Sequence, residues 1–213
     1  KLLSVSLDQE EVAFIFRQRN LVSAPVVDLR GRLVGAITID DVVDVIHEEL
    51  EEDFMLLGGV KEGDLYDAIV ATTRARFSWL LVNLGTAIIA SLVIGFFDAT
   101  LEQMVALAVL MPIVASMGGN AGTQTLTVAV RALAMKELTS INAARIIGKE
   151  ALIGVFNGIL FAILIGLFTW LWFSNLALGV VIGLAMTVNM FVAGLAGTII
   201  PLTLNKFGID PAV

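Results

Sequence analysis

Oxygen-bearing side chains stand out in an otherwise apolar and uncharged stretch of this 213-residue sequence, residues 103–130. Pro112 in that stretch has no N–H, so it frees a helix carbonyl. The polar residues recur at spacings of three and four, which places them on one face of a helix. They are Ser116, Asn120, Thr123, Gln124 and Thr127. Because carbonyl and amide oxygens suit hard cations and no Lys or Arg interrupts the stretch, the pattern predicts a cation path.

The same stretch has a second interpretation. Gly118-Gly119 and Pro112 are also typical of a glycine-rich packing face with a proline kink, which would need no ion. Polar residues in later apolar segments are weaker signals, and one interhelical hydrogen bond each would explain them. These residues are Asn157, Thr187 and Asn189.

Carboxylates dominate a second segment, residues 40–53, which has eight Asp or Glu and no Lys or Arg. Asp41, Asp44 and Glu48 follow helical spacing, and like charges at that spacing repel each other. A divalent cation would relieve the repulsion; a solvated acidic face is the alternative. His47 is the single histidine, and the sequence has no cysteine, so we expect His47 to be an exposed helix residue.

Composition separates an acidic head from an apolar body. Hydrophobic residues make up 58% of the sequence and charged residues 15%, against about 25% charged in a typical soluble chain. Residues 1–67 carry a net charge of −9 and residues 68–213 a net charge of +2. These values exclude a wholly soluble protein, and the acidic balance argues against a nucleic-acid partner.

Four segments are long and apolar enough to cross a bilayer, which needs about 20 residues. They are residues 77–97, 103–130, 151–173 and 177–204. Lys and Arg flank these spans on one side only, which predicts that this side and the acidic head are cytoplasmic. The pairs Gly154/Gly158, Gly179/Gly183 and Ala193/Gly197 predict close helix packing, within one chain or at a dimer seam.

The head, residues 6–53, has the pattern of a compact α/β piece. Ser6 to Asp8 predicts a helix start, residues 24–28 and 33–38 predict strands, and Thr38 can cap a helix over residues 42–57. Residues 58–76 are predicted to form an amphipathic connecting helix at the cytoplasmic membrane surface.

This head resembles the second half of a cystathionine-β-synthase (CBS) domain. The residues that carry the resemblance are Ala24-Pro25-Val26-Val27-Asp28 and Gly31-Arg32-Leu33-Val34-Gly35-Ala36-Ile37-Thr38-Ile39-Asp40-Asp41-Val42. Such modules pair and often bind an adenosine nucleotide. The resemblance therefore implies a ligand such as ATP, with Thr38 and Asp41 facing its ribose.

The stretch from Pro112 to Gln124, following a CBS half and an acidic connector, resembles the MgtE-type magnesium transporters. The resemblance implies an α-helical multi-pass membrane protein with a small cytosolic α/β CBS-type piece at its N-terminus. Residues 1–57 would be the CBS half, 58–76 the plug helix and 77–213 the transmembrane domain. It also implies a homodimeric Mg²⁺-gated channel in the plasma or inner membrane, not an enzyme, with Mg²⁺ and lipid as partners.

Site residues follow from the same resemblance. The Mg²⁺-sensing carboxylates fall on Glu10, Asp41, Asp44, Glu49, Glu52 and Asp53. The pore stretch falls on Ala108, Gly118, Gly119, Asn120, Thr123 and Gln124. Asn20 stands where some members have another sensing Asp, and Thr123 where some have Asn. We expect the sequence to be part of a longer protein, because the family's N-terminal domain, first CBS module and fifth span, with its pore Asp, have no counterpart in it.

Three other functions compete with a gated channel. An exchanger coupled to Na⁺ or H⁺ usually employs ionisable residues within its spans, and the four predicted spans have none. A membrane-embedded hydrolase would need an acid–base pair near Ser116, which these spans lack. A nucleotide-sensing scaffold would leave the polar stripe without a purpose.

Overall fold

The computed structural model describes residues 2–60, 68–139 and 141–211, apart from the side chain of Asp53. The chain divides into two compact units, residues 1–79 and 80–213.

In its described residues, the first unit contains a three-stranded sheet, two complete helices and the start of a third. The elements are β1 (Leu3–Ser4), α1 (Gln9–Arg19), β2 (Ser23–Val27), β3 (Leu33–Thr38) and α2 (Ile39–Leu57). The strand order is β1-β2-β3, with β1 parallel to β2 and β2 antiparallel to β3. The predicted helix start at Asp8 is confirmed, since its carboxylate accepts the Glu10 N–H at 3.1 Å. Strand β1 was not predicted, because two residues show no alternating pattern.

The core of this unit lies between the sheet and the two helices. Leu3, Phe16 and Val42 are almost completely buried and bring together β1, α1 and α2. Asn20 ends α1 in a left-handed conformation, with φ of 50°, which asparagine tolerates better than most residues. Asn20 therefore has a structural role as a helix cap.

The second unit is helical. The structure has α3 (Ile69–Gly95, which begins in the first unit), α4 (Asp98–Gln103), α5 (Val105–Ala134), α6 (Ala143–Phe173) and α7 (Leu176–Lys206). Four of them, α3, α5, α6 and α7, are long and apolar enough to cross a membrane, as predicted. Helix α5 continues through Pro112 and both glycines. Helix α6 begins eight residues before the predicted span, since charged residues such as Lys149 are tolerated near span ends.

The predicted connecting helix falls partly on residues 61–67, which lie outside the described residues. Its later part, from Ile69, is continuous with the first spanning helix.

Glycines mediate the packing of α6 against α7. A Cβ at Gly158 would lie 2.8 Å from the Thr187 Cα, and one at Gly179 would lie 2.6 Å from the Gly166 carbonyl oxygen. Gly154 and Gly183 make similar approaches to backbone atoms of the facing helix. The first two glycine pairs therefore serve packing within the chain, one of the two roles that the sequence left open.

Candidate functional site

The polar residues of α5 lie on a face that the rest of the chain does not cover. Side chains of Ser116, Asn120, Thr123, Gln124 and Thr127 are all exposed, as are Ala108, Pro112 and Gly119 on the same side of the helix. Ala108 contributes a carbonyl that has no donor four residues later, because Pro112 has no N–H. The predicted stripe is therefore a continuous uncovered face.

The hydrogen-bonding groups of this face differ in availability. Hydroxyl groups of Thr123 and Thr127 donate to the carbonyls of Gly119 and Thr123, at 3.0 Å and 2.9 Å. Side chains of Asn120 and Gln124 form no hydrogen bond with any residue that the structure describes. Two amide oxygens and the Ala108 carbonyl thus remain available to a ligand.

The opposite face of α5 packs on α7. Asn189 donates a hydrogen bond from Nδ2 to the Val114 carbonyl at 2.6 Å, so the predicted interhelical bond of Asn189 is confirmed. Gly118 is buried beside it, and a Cβ there would lie 2.3 Å from Nδ2. Gly118 therefore faces α7, whereas Gly119 and Asn120 face outward.

The other two intramembrane polar residues behave differently. Thr187 donates to the Gly183 carbonyl of its own helix at 3.1 Å, so the interhelical bond predicted for Thr187 is wrong. A threonine hydroxyl reaches the carbonyl four residues earlier without any partner helix. Asn157 forms no hydrogen bond with a described residue and lines a cavity between α5, α6 and α7.

The acidic residues of the head lie along α2 and at the start of α1. Asp44, Glu48 and Glu52 are exposed, and Glu49 is half-buried and accepts a hydrogen bond from Gln9 Nε2 at 2.5 Å. Glu10, next to Gln9, is exposed. The side chain of Asp53 lies outside the described residues. No three of the acidic or histidine side chains that the structure describes form a group that could hold a metal ion.

Asp41 and Thr38 are bonded to each other. One carboxylate oxygen of Asp41 accepts both the Thr38 N–H, at 2.9 Å, and the Thr38 hydroxyl, at 2.7 Å. The backbone N–H, and after it the hydroxyl, lowers the pKa of Asp41. Neither residue lines the cavity of about 240 Å³ beside β2 and β3, whose walls are mostly apolar. In this structure the pair caps α2.

Comparison with known proteins agrees with this architecture. Residues 111–213 match the MgtE family, a divalent cation transporter family, and residues 2–48 match the CBS domain. The chain is therefore similar to MgtE-family proteins in its second half and to a CBS domain near its start. The uncovered polar face of α5 lies in the first of these matches, and the acidic run begins in the second.

Bacterial relatives align over almost the whole chain. The magnesium transporter MgtE of Bacillus subtilis (strain 168) is 36% identical over 208 residues, and that of Enterococcus faecalis is 37% identical over 206. The MgtE of Thermus thermophilus is 36% identical over 209 residues. Each alignment covers 97% of this chain but 46% of the relative. The chain thus spans about half the length of these curated relatives.

Replacing Gly118 with alanine should destabilise the helical unit by about 1–3 kcal/mol, because the new Cβ displaces Asn189 and breaks its bond to Val114. Gly119→Ala is the matched control, since its Cβ would enter open space. Equilibrium unfolding in mixed detergent micelles measures the free energy of unfolding of both variants. In an Asn189→Ala background the cost of Gly118→Ala should fall; equal costs in both backgrounds would contradict the contact.

Thr38→Val should raise the pKa of Asp41 towards its ordinary value, because one of its two donors is lost; Thr38→Ser keeps that donor. Carbon-13 NMR titration of aspartate-labelled protein measures the shift. Since the folded-state pKa is lowered, ionised Asp41 stabilises the fold above its unfolded pKa, and the contribution disappears as the pH falls through the folded value. The stability difference between the Val and Ser variants should shrink over the same range. An unchanged Asp41 pKa in Thr38→Val would refute the assignment.

Proposed function

We propose that the protein conducts Mg²⁺ across the plasma or inner membrane along the polar face of α5, and that Mg²⁺ bound to the cytoplasmic carboxylates closes this path. The observation that carries the proposal is the uncovered face of α5, with unpaired amides at Asn120 and Gln124 in a helix long and apolar enough to span. The MgtE-family match over this helix supports it.

The ligand types of this face suit a hydrated ion. Mg²⁺ gives up its water reluctantly, so it usually keeps several waters in a protein site. Asn120 and Gln124 offer amide oxygens without a carboxylate or a base nearby on the helix. Amides of this kind would contact the hydration shell and pass the ion without trapping it. An uncovered polar face is costly in lipid, and a second copy of the chain in a homodimer would enclose it.

The carboxylates of α2 suit a sensor. Asp44, Glu48 and Glu52 follow one another at helical spacing and are exposed, so they repel each other when no cation is bound. Because these described residues form no ready-made cluster, Mg²⁺ would bind there only with waters or with groups from another surface. Ions then favour the conformation that brings those groups together.

The energy required is within reach of several weak sites. A shift from 1% to 99% closed needs about 5.5 kcal/mol of differential binding, which a few ions per subunit supply together. Mg²⁺ binding alone suffices for this shift, without an adenosine nucleotide. A nucleotide such as ATP at the CBS domain would act in addition. Thr38 and Asp41 would have to exchange their mutual hydrogen bonds for bonds to the ribose.

Neutralising the sensor should weaken inhibition by Mg²⁺. The double variant Asp44→Asn with Glu52→Gln should raise the cytoplasmic Mg²⁺ concentration that half-closes the path by about tenfold, equivalent to about 1.4 kcal/mol. Flux into liposomes that contain the full-length protein, with Mg²⁺ titrated on the cytoplasmic side, gives this value. Glu11→Gln, an exposed acid on α1, is the control and should change nothing. Flux that does not respond to the titration would rule out the sensor.

Asn120→Leu should reduce Mg²⁺ flux about tenfold or more, because an apolar side chain replaces an available amide on the path. Thr127→Val on the same face is the matched control, since the Thr127 hydroxyl is already bonded to the Thr123 carbonyl. The same liposome assay applies, with size-exclusion chromatography to verify folding. Unchanged flux in Asn120→Leu would show that the path lies elsewhere.

A further inference from the structure

A cavity of about 300 Å³ lies between α5, α6 and α7, and the ion path does not account for it. Its walls have two characters. The polar lining consists of Gln124, Thr125, Lys149, Glu150 and Asn157. The remaining lining is apolar or small and includes Val128, Ile153 and Met190.

Two opposite charges line this cavity without neutralising each other. Lys149 is exposed and Glu150 is half-buried, and neither forms an ion pair with another residue that the structure describes. The carboxylate and the ammonium group both remain available to a ligand. The lining of the cavity therefore includes a positive and a negative group together with two side-chain amides.

The charged part of the cavity lies near one end of the helical unit. Lys149 is six residues from the start of α6, about 9 Å along the helix, and Asn157 is about 12 Å further in. Arg131, at the end of α5, and Arg145, at the start of α6, flank the same end. Charged residues so close to the ends of spanning helices lie at the depth of lipid headgroups.

We propose that this cavity binds a phospholipid whose headgroup carries both a phosphate and a primary ammonium group, as in phosphatidylethanolamine. Lys149 pairs with the phosphate, and Glu150 accepts hydrogen bonds from the lipid ammonium group. The phosphate and ester oxygens accept hydrogen bonds from the side-chain amides of Gln124 and Asn157 and from the Thr125 hydroxyl. The apolar wall contacts the first part of an acyl chain. This assignment shares Gln124 with the proposed ion path, and its remaining polar groups lie outside that path.

Charge complementarity favours this lipid over other ligands. A cation would meet the ammonium group of Lys149 in the same cavity, and it would compete with that group for Glu150. An anionic lipid without an amine would bring its phosphate close to the unpaired Glu150. A choline headgroup has no N–H to donate to the carboxylate.

Lipid retention tests the proposal. The full-length protein is reconstituted in vesicles with equal amounts of phosphatidylethanolamine, phosphatidylcholine and phosphatidylglycerol of the same acyl chains, extracted into mild detergent, and its bound lipids are counted by native mass spectrometry. We expect about tenfold preference for the ethanolamine lipid, as the loss of a charge-assisted hydrogen bond implies. Equal retention of the choline lipid overturns the proposal.

Charge variants locate the site. Lys149→Met should lower the retention of all three lipids, because each carries the phosphate with which Lys149 pairs, and Glu150→Gln should abolish the preference for the ethanolamine lipid. Lys206→Met and Glu137→Gln, which do not line the cavity, should change neither the retention nor the preference. Lys149 is exposed, so its replacement should not impair folding. Unchanged retention in Lys149→Met, or a preference that survives Glu150→Gln, overturns the assignment. So does tighter Mn²⁺ binding in Lys149→Met, measured by electron paramagnetic resonance, because it would identify a cation site.

Discussion

Close backbone contact at glycine is the constraint on which the helical unit depends. Within a bilayer, apolar side chains gain little by leaving lipid for one another, so helices associate through tight packing and a few hydrogen bonds. Helix α7 meets α6 at Gly158 and Gly179, where a Cβ would collide with the facing backbone. It meets α5 at Gly197, where a Cβ would lie 2.7 Å from the Gly122 carbonyl oxygen, and at Gly118, where a Cβ would collide with the Asn189 side chain. Replacing these glycines with larger residues would force the three helices apart.

This packing determines which face of α5 is left uncovered. Because Gly118 and Val114 are used for the contact with Asn189, the opposite side of α5, with Asn120, faces away from α7. Gln124 is exposed too, but it also lines the cavity between α5, α6 and α7. The helix can present unpaired amides only because its other face is held firmly. Threonines on the outer face satisfy their own hydroxyls within the helix, so the amides are the groups with ligand capacity.

The carboxylates of α2 fall into two groups, one that is hydrogen-bonded within the head and one that is exposed. Asp41 is committed to the start of α2 by its bonds with Thr38, and Glu49 is bonded to Gln9. The exposed carboxylates further along, such as Asp44 and Glu52, have no basic residue beside them on the helix. One part of the acidic run thus stabilises the head, and the other part keeps its charge available.

Periodicity and charge were enough to predict the four spans, the α/β head and the polar stripe, because each depends on contacts within one segment of chain; the CBS type of the head came from the resemblance. The start of α6 was placed too late, since a charge near a span end does not end the helix. Strand β1 exists only because it pairs with β2, which is distant in sequence.

The roles of individual polar residues depend on which helices meet. The family resemblance put Gly118 in the pore stretch, and the sequence analysis treated Thr187 and Asn189 alike. In the structure Gly118 is buried against the Asn189 side chain. The Thr187 hydroxyl donates a hydrogen bond within α7, whereas the Asn189 amide donates one to α5. Likewise, Lys149 and Glu150 marked only a boundary in the sequence, whereas the meeting of three helices makes them the walls of a cavity. Local pattern determines that a segment is helical and which residues share a face; the partner of each face is determined by the fit between distant segments.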